Sequence, residues 1–130
     1  MSAGLQVQMN TLLVDLAQVA GFEQALVCTD EGLLVAASSE EVDTVELAGL
    51  TSLFDDIVLR ARRDLHMPRV DELTMLDPDR GRMVVRPLDL QGTQRFFLVV
   101  RVPARATWRR HTNQVGRQLA RLLQPLAAES

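Results

Sequence analysis

Gly21-Phe22-Glu23-Gln24-Ala25-Leu26-Val27-Cys28-Thr29-Asp30-Glu31-Gly32-Leu33-Leu34-Val35-Ala36-Ala37-Ser38 is the stretch on which the fold turns. Glu23 to Thr29 reads as a strand whose Ala25-Leu26-Val27-Cys28 core is apolar on both faces. Asp30-Glu31-Gly32 is a tight turn, and Leu33 to Ala37 is a second apolar run of strand length. Two such runs joined by a short glycine-containing turn make a β-hairpin. Upstream, Leu5 to Ala20 is an amphipathic helix, since Leu5, Met9, Leu12, Leu16 and Val19 recur at spacings of three and four. Gly21 is its expected C-cap, because glycine takes the left-handed conformation without steric cost.

Downstream of the hairpin, Ser38 to Val42 is polar, and Asp43 is placed to cap a long helix ending near Leu65. Its expected core stripe is Leu47, Leu50, Phe54, Ile57, Val58, Ala61 and Leu65, and Pro68 forbids much further helix. Three more strands follow. Val70–Leu76 runs into the turn signal Asp77-Pro78-Asp79-Arg80-Gly81, Arg82–Arg86 comes next, and Gln94–Val102 is apolar on both faces and so expected to be central. Pro103 ends it. Thr107 is the expected cap of a last helix with an apolar face of Trp108, Val115, Leu119, Leu122 and Leu126, fraying at Pro125.

Strands joined mostly by short turns form an antiparallel sheet. The expected fold is therefore α/β, an α/β/α sandwich with a five-stranded antiparallel sheet in the order 2-1-5-4-3. The middle helix covers one face and the two terminal helices the other. Leu12, Leu16, Leu26, Val27, Phe54, Leu98 and Leu119 are expected to be buried, and strand Val70–Leu76 lies at an edge.

At 130 residues, 47% hydrophobic and 24% charged, the chain reads as a single domain over residues 1–130. A single cysteine excludes an intramolecular disulfide or a cysteine metal cluster. The first basic residue is Arg60, and no apolar run approaches the roughly 20 residues that span a bilayer. A cytoplasmic location is expected. All 14 basic residues are arginine, as coding bias in a GC-rich genome would give. Residues 1–59 hold 10 acids and no base, whereas residues 60–130 hold 14 arginines and 7 acids, an asymmetry that hints at partner surfaces.

No chemistry suggests itself. There is no GxxxxGK[ST] loop, and a chain without lysine cannot build the standard phosphate clamp, so the protein is not itself a P-loop GTPase. His66 and His111 lack metal-ligand spacing to each other or to Cys28. Cys28 sits in an apolar strand, where a buried, inert thiol is expected. The neighbouring acids Glu40-Glu41 and Asp55-Asp56 point in different directions on a helix or strand. No catalytic residue, cofactor or metal is assigned.

Two surfaces are more informative. Opposite the expected core stripe of the middle helix lie Val45, Ala48, Ser52 and Leu59, with Gly49 and Asp56 alongside. Small and apolar residues there suit another helix or a partner better than water. On the last helix Arg110, Arg117 and Arg121 share a face, and no acid occurs between Leu90 and Ala128. That stripe is a secondary basic surface, suited to phosphates or an acidic protein. Nucleic acid fits poorly, since aromatic residues do not interleave with the arginines.

The run Gly21 to Ser38 resembles the opening hairpin of the roadblock (dynein light-chain) family. The Leu- and Ala-rich helix Asp43–Leu65 is similar to that family's middle helix, and the element order matches over nearly the whole chain. The resemblance implies a dimer-forming, non-enzymatic platform for a small Ras-like GTPase, as in the bacterial MglB-like branch, where hydrolysis is stimulated without a donated catalytic residue. It implies homodimers or heterodimers, and the small, apolar strip and the edge strand give the expected homodimer interface: Val45, Ala48, Ser52 and Leu59, with edge-strand residues Val70, Glu72 and Thr74. Thr51, Asp55, Arg62 and Arg63 flank that surface and are the residues expected to meet the GTPase. An assembly subunit that never touches a GTPase, and a sensory module of the PAS or GAF kind, are the alternatives.

Overall fold

The computed structural model describes residues 3–40 and 44–129. Glu41 and the expected cap Asp43 lie outside the described residues. Helix α1 (Ala3–Ala20) leads into β1 (Gln24–Thr29) and β2 (Leu34–Ala37), followed by α2 (Thr44–Asp64), β3 (Leu73–Asp77), β4 (Gly81–Pro87), β5 (Phe96–Val102) and α3 (Arg109–Glu129). The sheet is antiparallel throughout, in the order β2-β1-β5-β4-β3. No helix among the described residues is long and apolar enough to cross a membrane.

The period of two along the strands divides the core in two. Ala25 and Val27 of β1, Val84 of β4, and Phe96, Leu98, Val100 and Val102 of β5 pack with Met9, Leu13 and Leu16 of α1 and Val115, Leu119, Leu123 and Ala127 of α3. The alternate residues Leu26, Cys28, Met83, Val85, Phe97 and Val99 pack with Leu47 and Ala48 of α2. The terminal helices thus share one face and α2 has the other, as the sequence led us to expect. Leu16, Leu26, Val27, Leu98 and Leu119 are buried, and Leu12 and Phe54 half-buried.

Gly21 closes α1 with φ 74°, and the Phe22 amide donates to the Ala17 carbonyl at 3.0 Å, a Schellman ending that sends Phe22 into the core. The α1 face is rotated from the expected one: Leu13 is fully buried and Val19 is exposed. Two α1 side chains also reach the outer edge of β2. Asn10 Oδ1 accepts from the Ala37 amide at 3.1 Å, and Gln6 Nε2 donates to the Val35 carbonyl at 3.3 Å. Among the described residues, no helix side chain does the same for β3.

Helix α3 begins at Arg109, its first turn closed by the Thr112 amide donating to the Trp108 carbonyl, so Trp108 rather than Thr107 occupies the cap. Nor does it fray at Pro125. The helix continues to Glu129 because Leu123 and Ala127, on either side of the proline, are fully buried. The loop before β5 is pinned to this end: the Gln91 amide donates to Gln124 Oε1 at 3.0 Å and Gln124 Nε2 donates back to the Gln91 carbonyl at 2.6 Å.

Candidate functional site

Helix α2 is the element most open to a partner, and its rotation decides which residues it offers. Its buried seam is Thr44, Leu47, Ala48, Thr51, Asp55 and Val58, again at spacings of three and four. Leu50, Ile57 and Leu65, expected in the core, point outward instead. Three residues expected at partner surfaces, Ala48, Thr51 and Asp55, lie against the protein's own sheet. The reason is local. The hairpin turn presses Gly32 onto the helix backbone, where an added Cβ would stand 3.1 Å from the Ala48 carbonyl oxygen and the Gly49 Cα. Only the small-residue side of α2 can approach that closely.

The buried polar groups on this seam are matched. Cys28 Sγ donates to Thr51 Oγ1 at 3.1 Å, and Thr51 Oγ1 donates to the Leu47 carbonyl at 3.2 Å. Burial pushes the Cys28 thiol up to about 11, with the Thr51 contact opposing, so the sulfur is a packing atom rather than a nucleophile at neutral pH. Asp55 receives a two-pronged contact from Arg95, Nε and Nη2 each at 2.8 Å from a carboxylate oxygen. The same guanidinium stands 3.2 Å from Asp30 in the hairpin turn, and Gln94 also donates to Asp30. Asp55 foremost, and Asp30 with it, hold the Arg95 guanidinium charged against partial desolvation. One arginine therefore ties α2, the β1–β2 turn and the start of β5 together.

Outward from this seam, α2 presents Val45, Leu50, Leu53, Ile57 and Leu59, of which Val45 (68% exposed) and Leu53 (61%) are the most open. Leu50, Leu53 and Ile57 lie on the side of Phe54, while Val45, Ser52 and Leu59 lie on the side of Gly49. Ser52 Oγ is occupied by the Gly49 carbonyl at 3.0 Å. The exposed Asp56–Arg60 pair, at 3.0 Å, lies between these two flanks, and the Leu50, Leu53 and Ile57 flank is the apolar surface that gains from being covered. At the end of the helix, exposed Arg63 pairs with Asp64 at 2.7 Å, and exposed Arg62 makes no ion pair among the described residues.

The edge strand starts later than expected, at Leu73. Val70 is half-buried ahead of it. Glu72 is not a free edge residue, because its carboxylate accepts from Trp108 Nε1 at 2.8 Å and from Arg109 at 3.3 Å, binding it to the start of α3. Thr74 is exposed, and Met75 and Leu76 are exposed on opposite faces of the strand. An edge that is apolar on both faces, with no strand on its outer side among the described residues, is a template for another strand.

Arg110, Arg117 and Arg121 are exposed on α3 and make no ion pairs among the described residues. His111 meets Phe22 edge-on at 6.2 Å, and His66 ends α2 in the left-handed conformation with φ 56°. No group of three or more His, Cys, Asp or Glu among the described residues is placed to hold a metal ion. The Arg95 bridge and the β2 caps escaped the sequence reading. They join residues 27 to 65 positions apart, and no periodicity records such pairs.

No protein-family model matches the chain, and no curated protein does. Solved structures do. The gliding protein MglB from Thermus thermophilus matches at a TM-score of 0.78 and 17% identity, over 100% of this chain and 96% of that one. MglB from Myxococcus xanthus matches at 0.75 and 15%, over 91% and 96%. A Roadblock/LC7 domain from Streptomyces avermitilis matches at 0.64 and 17%, over 90% and 92%. The chain has the roadblock fold.

Proposed function

We propose that this protein is a non-enzymatic cytoplasmic module of the roadblock family, of the MglB-like bacterial kind, that forms a homodimer and binds and regulates a small Ras-like GTPase. The observation that carries the reading is the outward face of α2. Five large apolar side chains stand there on a helix whose other face is already committed to the sheet. The fold shared with MglB supports it.

In this reading two copies pair through β3 about a two-fold axis, the commonest form of oligomer, and extend the sheet across the join. Met75 and Leu76 are covered at the junction. The two α2 helices come side by side through the Leu50, Leu53 and Ile57 flank rather than the expected Val45, Ser52 and Leu59 flank, covering part of it and leaving the remainder as a composite surface. The GTPase docks across that surface with its switch loops near Arg62 and Arg63. Stimulation of hydrolysis works by ordering those loops, since a Ras-like protein already carries the groups that stabilise phosphoryl-transfer charge. Arg62 and Arg63 act by contact, not as inserted catalytic fingers.

The test has two arms. Light scattering of the wild-type chain at micromolar concentration should give the dimer mass, and Met75→Lys with Ile57→Arg should give the monomer. A wild-type monomer overturns the dimer. Pull-downs from native cytosol with GDP and with a non-hydrolysable GTP analogue should recover a Ras-like GTPase, and Leu53→Arg should abolish recovery. Loss of turnover with binding intact in Arg62→Ala would replace loop ordering with an arginine finger. Recovery of no GTPase in either nucleotide state, with the dimer intact, would leave an assembly subunit.

A further inference from the structure

On the other face of the sheet, between the loop after β4 and helix α3, lies a cleft of about 470 Å³, within the size range of small-ligand sites. Part of its lining is apolar and small. Leu88 comes from the loop, and Gly116 and Ala120 come from successive turns of α3. Gly116 is not required there for close packing, since a Cβ would meet only Leu88 Cδ2 at 3.7 Å. What its lack of a side chain leaves is room.

The cleft is cationic. Arg69, Arg86, Arg117 and Arg121 line it against Asp71 and Asp89, leaving two positive charges in excess. These arginines differ in availability. Arg86 is a strut: its guanidinium, 11% exposed, is held by Asp71 at 3.0 Å, by Thr112 at 2.9 Å and by Asn113. Asp71 is itself shared with Arg109 at 2.7 Å and, at 3.7 Å, with Arg69. Among the described residues neither Asp71 nor Asp89 makes an ion pair with Arg117 or Arg121. Those two arginines stand one turn apart on α3, where like charges repel. Arg110, their partner in the sequence stripe, does not line the cleft.

We propose that this cleft binds a phosphate-bearing anion, with Arg117 and Arg121 as its ligands and Arg69 contributing from the α2–β3 connection. Arg121 Nε also reaches the Arg117 carbonyl at 3.5 Å, which leaves its Nη groups for a ligand. Two planar guanidiniums one turn apart match the several acceptor oxygens of a phosphate, and a dianion placed between them removes the repulsion that the free helix carries. A soluble phosphate compound and a phosphorylated lipid headgroup present the same chemistry. Its two principal ligands stand on α3, and the inference does not rest on the GTPase-regulator reading, although Arg69 also borders the pocket that Arg62 lines.

The experiment is a titration of the isotopically labelled full chain with sodium pyrophosphate, followed by amide resonances at constant ionic strength. Saturable shifts are expected at Gly116, Arg117, Ala120 and Arg121. Arg117→Gln with Arg121→Gln should weaken binding by about tenfold or more, as loss of charge-assisted hydrogen bonds implies. Arg110→Gln should bind as wild type, and unchanged far-ultraviolet circular dichroism will show that each variant folds. Flotation with phosphatidylcholine vesicles containing phosphatidylinositol 4-phosphate separates the sources: co-migration assigns a lipid headgroup, and pyrophosphate binding without it assigns a soluble ligand. Shifts that sodium chloride reproduces, or equal weakening by Arg110→Gln, would reduce the cleft to diffuse electrostatics and overturn the proposal. Binding of a polyglutamate peptide with none of pyrophosphate would overturn it in favour of an acidic protein segment.

Discussion

Replacing Arg95 by alanine removes a single side chain and unties three elements. The Asp55 carboxylate is only 9% exposed and Asp30 17%, and both face the same guanidinium. After the substitution Asp55 keeps its charge in a largely dry site without its two 2.8 Å donors. Breaking a fully buried pair from one side costs about 3–5 kcal/mol. Arg95 itself is 43% exposed, so water reaches the vacated space and screens part of that cost. We therefore expect a loss of roughly 2–3 kcal/mol, and for a chain of this length a fall in Tm of roughly 6–15 °C. Urea denaturation followed by circular dichroism measures it directly. Asp55→Ala combined with Arg95→Ala isolates the pair, with an expected coupling on the order of 1.5–2.5 kcal/mol. A change in Arg95→Ala below about 0.5 kcal/mol, or additive single variants, would refute the claim that this bridge anchors α2.

Other substitutions test other parts of the fold. Gly92→Ala should destabilise by about 2 kcal/mol or more, since Gly92 has φ 129° and a Cβ would stand 2.1 Å from the Ala127 carbonyl oxygen; a denaturation midpoint equal to wild type would contradict this. Asp71 is held below the usual carboxylate range by its hydrogen bond from Arg109, with Arg86 assisting, against the raising effect of burial. Because its folded pKa is the lower one, its contribution is present above the unfolded value near ~3.9 and lost as pH falls through the folded value. Asp71→Asn should flatten that acid limb in a pH series of melting curves. Cys28, with its thiol raised to about 11, should resist thiol reagents at pH 8, reacting about a hundredfold more slowly than the unfolded chain or slower still. Native-state labelling at the unfolded rate would show that the strand is not buried as described.

The hairpin, the sheet order and the division of helices between faces were all legible, because strand alternation and turn chemistry are local signals. The rotation of α2 was not. A reading by hydrophobicity places Leu50 and Ile57 inward and Thr51 and Asp55 outward. The molecule reverses this because Cys28 and Arg95, 23 and 40 residues away, complete the two polar side chains inside. Glu72 read as an edge residue for the same reason, its partner Trp108 lying 36 residues on. Pro125 carried a true local signal, a cost of about 3 kcal/mol in a helix interior, which burial of Leu123 and Ala127 outweighs.

The asymmetry between the sheet's two margins bears on how large an assembly can grow. Gln6 and Asn10 occupy outer backbone groups of β2, whereas β3 keeps its own available. A sheet open at both sides has a valence of two and can add copies end to end without limit, which is the geometry of a fibre. With one side stoppered the valence falls to one, and in the pairing proposed above strand-to-strand addition would terminate at two copies. Asn10→Ala would restore the second valence at Ala37. The cost of that loss would be measured less in folding free energy than in turbidity, as the proposed closed pair becomes a chain with free ends.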